Sequence, residues 1–139
     1  MKVKEAMHKG VRWMSPDTPV AALARLMRDQ DVGAIPIGDN DKLIGMVTDR
    51  DIVCKGLAAT GFDPARATAR DVMSEGIHCC GEDHDLADAV RHMRELGVRR
   101  LTVIGEGERM TGILSLGDVG HYATSDLAHE CLKSVSAHH

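Results

Sequence analysis

The chain is expected to adopt an α/β (α+β) fold in which two β-α-β-β-α repeats pack about a pseudo-two-fold axis, with small sheets flanked by helices. Three observations lead there. The 139 residues are 43% hydrophobic and 27% charged, an ordinary globular balance in a length that suits one domain or two very small ones sharing a core. Apolar positions alternate between helical and strand spacing along the chain. The sequence also matches itself: Met7, Gly10, Asp17, Arg25, Met27, Arg28 and Val32 recur 66 positions later as Met73, Gly76, Asp83, Arg91, Met93, Arg94 and Val98. Past the turn at 38–41 the offset becomes 67, pairing Gly45 with Gly112, Thr48 with Ser115 and Asp51 with Asp118. A single insertion at an exposed turn is well tolerated. A unit this small cannot bury both of its faces alone, so the two copies are expected to pack together.

The elements follow in order. Val11 to Met14 reads as a short strand, Thr18 as an N-cap and Pro19 as the first helical residue. The helix runs to about Gln30, with Val20, Leu23, Ala24 and Met27 forming one stripe. Ala34–Ile37 and Leu43–Thr48 bracket a Gly-Asp-Asn-Asp turn and read as a hairpin, with a second helix from Asp49. The second copy gives a strand Ile77–Cys80, a helix from about Asp85 with Leu86, Ala89, Val90 and Met93 on one face, strands Leu101–Ile104 and Met110–Ser115, and a helix after Leu116. Gly56–Ala67 reads as a linker, and Thr68-x-x-Asp71 caps a short helix. Residues 1–66 therefore form the first repeat with an N-terminal helix and the linker, 67–124 the second, and 125–139 a helical tail through Leu127, Cys131 and Val135, with His138 and His139 left unassigned.

Composition excludes several function classes. The 17 basic and 21 acidic side chains leave a net charge of −4, the wrong sign for binding a phosphate backbone, and Trp13, Phe62 and Tyr122 offer few rings for stacking bases. Nucleic acid is not an expected partner. No apolar run reaches membrane-span length, the first residues lack a signal-peptide core, and the expected location is cytoplasmic. Cys54, Cys79, Cys80 and Cys131 show no C-x-x-C spacing. Cys79 and Cys80, with His78 and His84 nearby, are adjacent in a strand and point to opposite faces, so buried thiols are expected in place of a metal centre; a redox or zinc module remains a minor alternative. Gly105-Glu-Gly107 reads as a turn, and no catalytic constellation is present, so no enzymatic activity is expected. Trp13 either packs in the core or covers a bound ring.

The most specific pattern is a hydroxyl at the end of a strand with a carboxylate three residues on: Thr48 with Asp51, and Ser115 with Asp118. The hydroxyl opens a helix, where free N–H groups attract phosphate, and the carboxylate lies one turn along with two oxygens able to accept from a ribose. The same spacing also describes a capping box that only satisfies the helix start. Gly45 and Gly112 permit close approach of another backbone or of a ligand.

Gly45-Met-Val-Thr48-Asp-Arg-Asp51 and Gly112-Ile-Leu-Ser115-Leu-Gly-Asp118, each closing a β-α-β-β-α unit, make the chain resemble a tandem cystathionine-β-synthase (CBS) domain pair, the Bateman module. Thr48-Asp-Arg-Asp-Ile-Val, Lys55-Gly-Leu-Ala-Ala and Val98-Arg-Arg are similar to the stand-alone pairs of the hypoxic response protein 1 type. The resemblance implies clefts shared between copies. One would join Thr48, Arg50 and Asp51 to Ile77, His78, Cys79, Arg99, Arg100 and Leu101. The other would join Ser115 and Asp118 to Val11, Arg12, Trp13, Gly33, Ala34, Ile35 and Pro36. Arg99 and Arg100 would clamp phosphate in the first, unless they merely line a solvated strand edge, and Thr102 stands where the other copy has Pro36. The implied function is a regulatory sensor binding an adenine nucleotide (AMP, ADP, ATP or NAD(H)), with no required cofactor or metal, signalling through a homodimer or an unknown effector protein. The alternative is a structural protein-interaction module without a nucleotide.

Overall fold

The computed structural model describes residues 1–9, 12–40, 42–122, 129 and 132–133. Two compact units emerge, a first formed by Arg12–Ile77 and a second formed by Met1–Val11 together with His78–His139. The sequence repeats are thus cut differently in space. The leading segment of the first repeat belongs to the second unit, and residues 67–77, which lead the second repeat, belong to the first.

In the first unit, α2 (Val20–Gln30) precedes a hairpin of β2 (Ala34–Asp39) and β3 (Lys42–Thr48), and β3 also pairs with β4 (Ser74–Glu75). Both pairings are antiparallel. β3 runs into the short helix α3 (Asp49–Asp51), which continues as a π-helical stretch, Ile52–Leu57. The helix α4 (Ala69–Val72) is held by Ala69 N–H donating to the Thr18 carbonyl (2.9 Å) and Arg70 N–H to that of Pro16 (3.1 Å). Val20, Leu23 and Met27 of α2, Ile35 and Ile37 of β2, Val47 of β3, and Ala69 and Val72 of α4 form one core. The amphipathic period predicts this stripe except at Ala24, which is exposed while Leu26 packs against the core instead. Pro19, not Thr18, is the N-cap of α2. The Thr18 carbonyl accepts from Ala69 N–H, a contact from distant sequence. The linker begins only at Ala58, since Gly56 and Leu57 belong to the π-helical stretch.

The second unit repeats the plan with an added strand. Its sheet has the order β1 (His8–Lys9), β7 (Met110–Ser115), β6 (Arg100–Ile104), β5 (Cys79–Gly81). β5 and β6 are parallel and the other pairs antiparallel. The helices α1 (Val3–Ala6), α5 (Leu86–Leu96) and α6 (Leu116–Tyr122) cover one face, and the core joins Val3, Ala6, Cys80, Leu86, Ala89, Val90, Met93, Leu101, Val103, Leu114 and Val119. The stripe on α5 matches its expected spacing at all four positions. Val3 N–H donates to the His84 carbonyl and Lys4 N–H to that of Glu82, both at 2.9 Å, and Lys4 Nζ lies 2.9 Å from Asp83. These contacts anchor α1 as the Thr18 and Pro16 carbonyls anchor α4.

Several strand limits differ from expectation. The first strand is His8–Lys9; Met14 makes only an isolated bridge to Ile37, and Val11 lies outside the described residues. Two polar residues carry no alternation, so β1 owes its existence to its partner. The strand placed at Ile77–Cys80 is Cys79–Gly81. Glu106–Glu108 forms a 3-10 turn between β6 and β7, where Gly107 takes φ 69°. In the tail, His129, Leu132 and Lys133 are helical, and Leu127, Cys131, Val135, His138 and His139 lie outside the described residues.

Gly45 and Gly112 admit a crossing backbone. A Cβ on Gly112 would sit 2.6 Å from the His8 carbonyl oxygen, and one on Gly45 would sit 2.9 Å from that of Ser74. Gly112→Ala is expected to lower stability by about 1–3 kcal/mol through displacement of β1, measured by denaturant unfolding; an unchanged midpoint contradicts the close packing. Burial pushes the Cys80 thiol up to about 11, the neighbouring Cys79 adding to it. The folded state then holds its proton to higher pH than the unfolded chain, so this stabilisation is complete below the usual thiol value near 9 and is lost as pH rises toward 11. Thermal unfolding across that window is expected to show a steeper loss for the wild type than for Cys80→Ala; parallel profiles contradict it.

Candidate functional site

Both hydroxyl–carboxylate pairs close on themselves. Asp51 N–H donates to Thr48 Oγ1 (3.1 Å) and Thr48 N–H to Asp51 Oδ2 (2.9 Å); Asp118 N–H donates to Ser115 Oγ (3.1 Å) and Ser115 N–H to Asp118 Oδ2 (2.9 Å). This is a full capping box in each repeat. It consumes the hydroxyl's acceptor side and one carboxylate oxygen. What distinguishes the copies is the fate of the other oxygen.

In the first unit Asp51 is nearly buried, and its Oδ1 lies 3.4 Å from both Lys55 Nζ and Ser74 Oγ, while Lys55 Nζ donates to Ser74 Oγ at 2.9 Å. Neither Lys55 nor Ser74 was expected at the site. Lys55 is legible afterwards as the residue four beyond Asp51 on a helical stretch; Ser74 arrives only through the β3–β4 pairing of Met46 with Ser74. The backbone donors at this helix start are also taken. Asp49 N–H donates to the Gly33 carbonyl (3.0 Å), Arg50 N–H to Asp49 Oδ1 (2.8 Å) and Asp51 N–H to Thr48. The free N–H groups anticipated for a phosphate are therefore engaged by the protein itself.

In the second unit Leu116 and Gly117 replace Asp49 and Arg50. Leu116 N–H donates to the Arg99 carbonyl (2.8 Å) and Asp118 N–H to Ser115. Without an aspartate at 116, Gly117 N–H has no side-chain acceptor of the kind Asp49 provides. Among the described residues, Asp118 Oδ1 has no counterpart of Lys55 or Ser74, because Tyr122 and His8 stand at the matching positions.

Sheet register groups the remaining candidates by unit. Ala34 is the register partner of Thr48, and Arg100 that of Ser115. The resemblance implied Arg99 and Arg100 across from Thr48 and Asp51 of the other copy, and Gly33 to Pro36 across from Ser115; within each unit the register separately pairs Arg100 with Ser115 and Ala34 with Thr48. β6 is an interior strand between β7 and β5, so Arg100 does not line a sheet edge. Arg100 is half-buried and Arg99 exposed. Ile35 and Leu101 are taken up by the two cores, and Ala34 and Pro36 are buried as well. Arg12 and Arg50 are exposed, and Ile77 is half-buried. Trp13 is half-buried with its ring against Gly38, where a Cβ would fall 2.4 Å from it. His78 and Cys79 are exposed, and the His78 carbonyl accepts from Thr102 N–H at 3.0 Å. Partial desolvation raises the exposed Cys79 thiol and fuller burial raises that of Cys80, so neither is poised as a thiolate. Among the described residues no three His, Cys, Asp or Glu side chains cluster as metal ligands, and no helix is long and apolar enough to cross a membrane.

Comparisons with known proteins converge. Hypoxic response protein 1 of Mycobacterium tuberculosis is 37% identical over 133 residues, covering 95% of this chain and 92% of that protein. The crystal structure of Hypoxic Response Protein I with two coordinated zinc ions aligns at TM-score 0.75 and 38% identity, covering 89% of this chain and all of that one. The crystal structure of CBSX2 in complex with AMP aligns at TM-score 0.71 and 25% identity, over 88% of this chain and 95% of that one. A sequence model of the CBS domain matches residues 3–55 and again 69–123, and the chain belongs to the CBS domain family as a tandem pair.

Proposed function

We propose that the chain is a regulatory binding module without catalytic activity, and that its second unit takes an adenosine nucleotide at Ser115 and Asp118. The observation that carries this reading is the contrast between the two carboxylates: Asp51 Oδ1 is engaged by Lys55 and Ser74, whereas among the described residues Asp118 Oδ1 has no such partner, and Arg100 is the register partner of Ser115. A carboxylate oxygen accepts from a ribose hydroxyl, Gly117 N–H is placed to donate to an anion, and two guanidinium groups attract phosphate. A relative of the same fold that holds AMP supports the ligand class. AMP, ADP, ATP and NAD(H) all present this ribose-phosphate.

Output passes through a second copy or an effector protein. Val53 and Leu57, 53% and 64% exposed on the π-helical stretch, and Tyr122 on α6 supply apolar surface for such a partner. A nucleotide changes that association only as far as it binds one arrangement of the chain better than another. For the first unit the engagement of Asp51 favours the second reading, an interaction surface without a nucleotide.

Calorimetric titration with AMP, ADP, ATP and NAD(H) tests the proposal. Asp118→Ala and Arg100→Ala are each expected to weaken binding by about 10- to 100-fold, the range of a hydrogen bond to a charged group, while Asp51→Ala leaves it within about threefold. Losing the Asp118 cap lowers stability by about 1 kcal/mol, so folding is verified by thermal unfolding alongside. Equal affinity in the Asp118 and Arg100 variants, or a loss confined to Asp51→Ala, overturns the assignment.

A further inference from the structure

Lys55 lies on the π-helical stretch four residues past Asp51, a spacing that brings opposite charges together on one helix face. Its Nζ stands 3.4 Å from Asp51 Oδ1 and donates to Ser74 Oγ at 2.9 Å, while Ser74 Oγ donates to the same carboxylate oxygen at 3.4 Å. The oxygen that the capping box leaves over therefore meets two donors, an ammonium and a hydroxyl. A sugar with neighbouring hydroxyls brings two donors to a carboxylate in the same way. At this corner the protein's own side chains hold that place.

Both of them lie at the surface. The Lys55 side chain is 48% exposed against 12% for that of Asp51, and Ser74 is exposed on the two-residue edge strand β4. Lys55 thus reaches the carboxylate from the solvent side on a flexible four-carbon stem. An ion pair made by so exposed a lysine adds little to stability, so the fold does not require it. The second unit has Tyr122 at the position of Lys55, and the pair belongs to the first unit alone.

The geometry points to Lys55 as an autoinhibitory latch: its ammonium, bridging Asp51 and Ser74, keeps the first corner occupied from within and shuts it to a nucleotide's sugar. This rests on the ribose reading of the hydroxyl–carboxylate pattern. A latched corner accepts a ligand only in the fraction of molecules whose lysine has swung away, and its apparent affinity falls by that fraction. Removing the ammonium opens the corner, and arginine, which keeps the cation, leaves it shut.

The test titrates AMP calorimetrically into the full chain carrying Asp118→Ala, so that only the first corner is read. Adding Lys55→Ala is expected to bring AMP binding at one per chain, about tenfold or more tighter than Asp118→Ala alone, the range of a hydrogen bond to a charged group. Adding Lys55→Arg is expected to bring none, and adding Asp51→Ala to the Lys55→Ala protein is expected to abolish the gain. Should the Asp118→Ala chain fold poorly, Lys55→Ala in the otherwise unaltered protein carries the test, with stoichiometry rising from one AMP to two. No gain in Lys55→Ala, an equal gain in Lys55→Arg, or a gain that survives Asp51→Ala overturns the latch. A wild type that binds no AMP while Lys55→Ala gains it overturns the second-unit assignment and leaves the latch standing; absence of binding in both defeats both.

Discussion

Everything in this molecule turns on a reciprocal hydrogen-bond lock at the point where a strand becomes a helix. Thr48 with Asp51, and Ser115 with Asp118, each exchange two hydrogen bonds between side chain and backbone. The lock fixes the strand–helix corner and orients the carboxylate, and in doing so it uses one of that group's two oxygens. The neighbours decide what the second oxygen does. Structural and binding roles of the hydroxyl-x-x-carboxylate pattern are therefore compatible, since the first holds the second in place.

Duplication gave the chain two such corners, and their surroundings have diverged. Around Asp51 the protein supplies its own partners, Lys55 and Ser74, and Asp49 caps the remaining amide. Around Asp118 those roles lapse: leucine and glycine occupy the helix start, and Arg100 of β6 is the register partner of Ser115. One corner is internally neutralised and the other is positively framed. Under the proposed function, an anionic sugar ligand meets favourable charge at the second and an established ion pair at the first.

Much of the fold was legible because it depends on local periodicity. The stripes of α2 and α5, the two hairpins and the short capped helix at Ala69 follow from residue spacing. The departures come from long-range contacts. Pro19, not Thr18, precedes α2, the Thr18 carbonyl receives Ala69, β1 exists only against β7, and the leading segment of each repeat completes the unit of the other. None of these leaves a local trace. At the site, the motif residues were visible as a repeated pattern, while their companions across the two copies were assigned by resemblance. Thr102 was visible as a mismatch with Pro36, although its burial without a partner is a property of the folded chain.

The central claim is that the two locked corners differ in availability, and amide chemical shifts read this directly. In a titration of the isotope-labelled protein with AMP, the Gly117 amide is expected to shift in proportion to occupancy while the Arg50 amide, held by Asp49, stays in place. Saturating movement of Arg50 with Gly117 stationary would contradict the account.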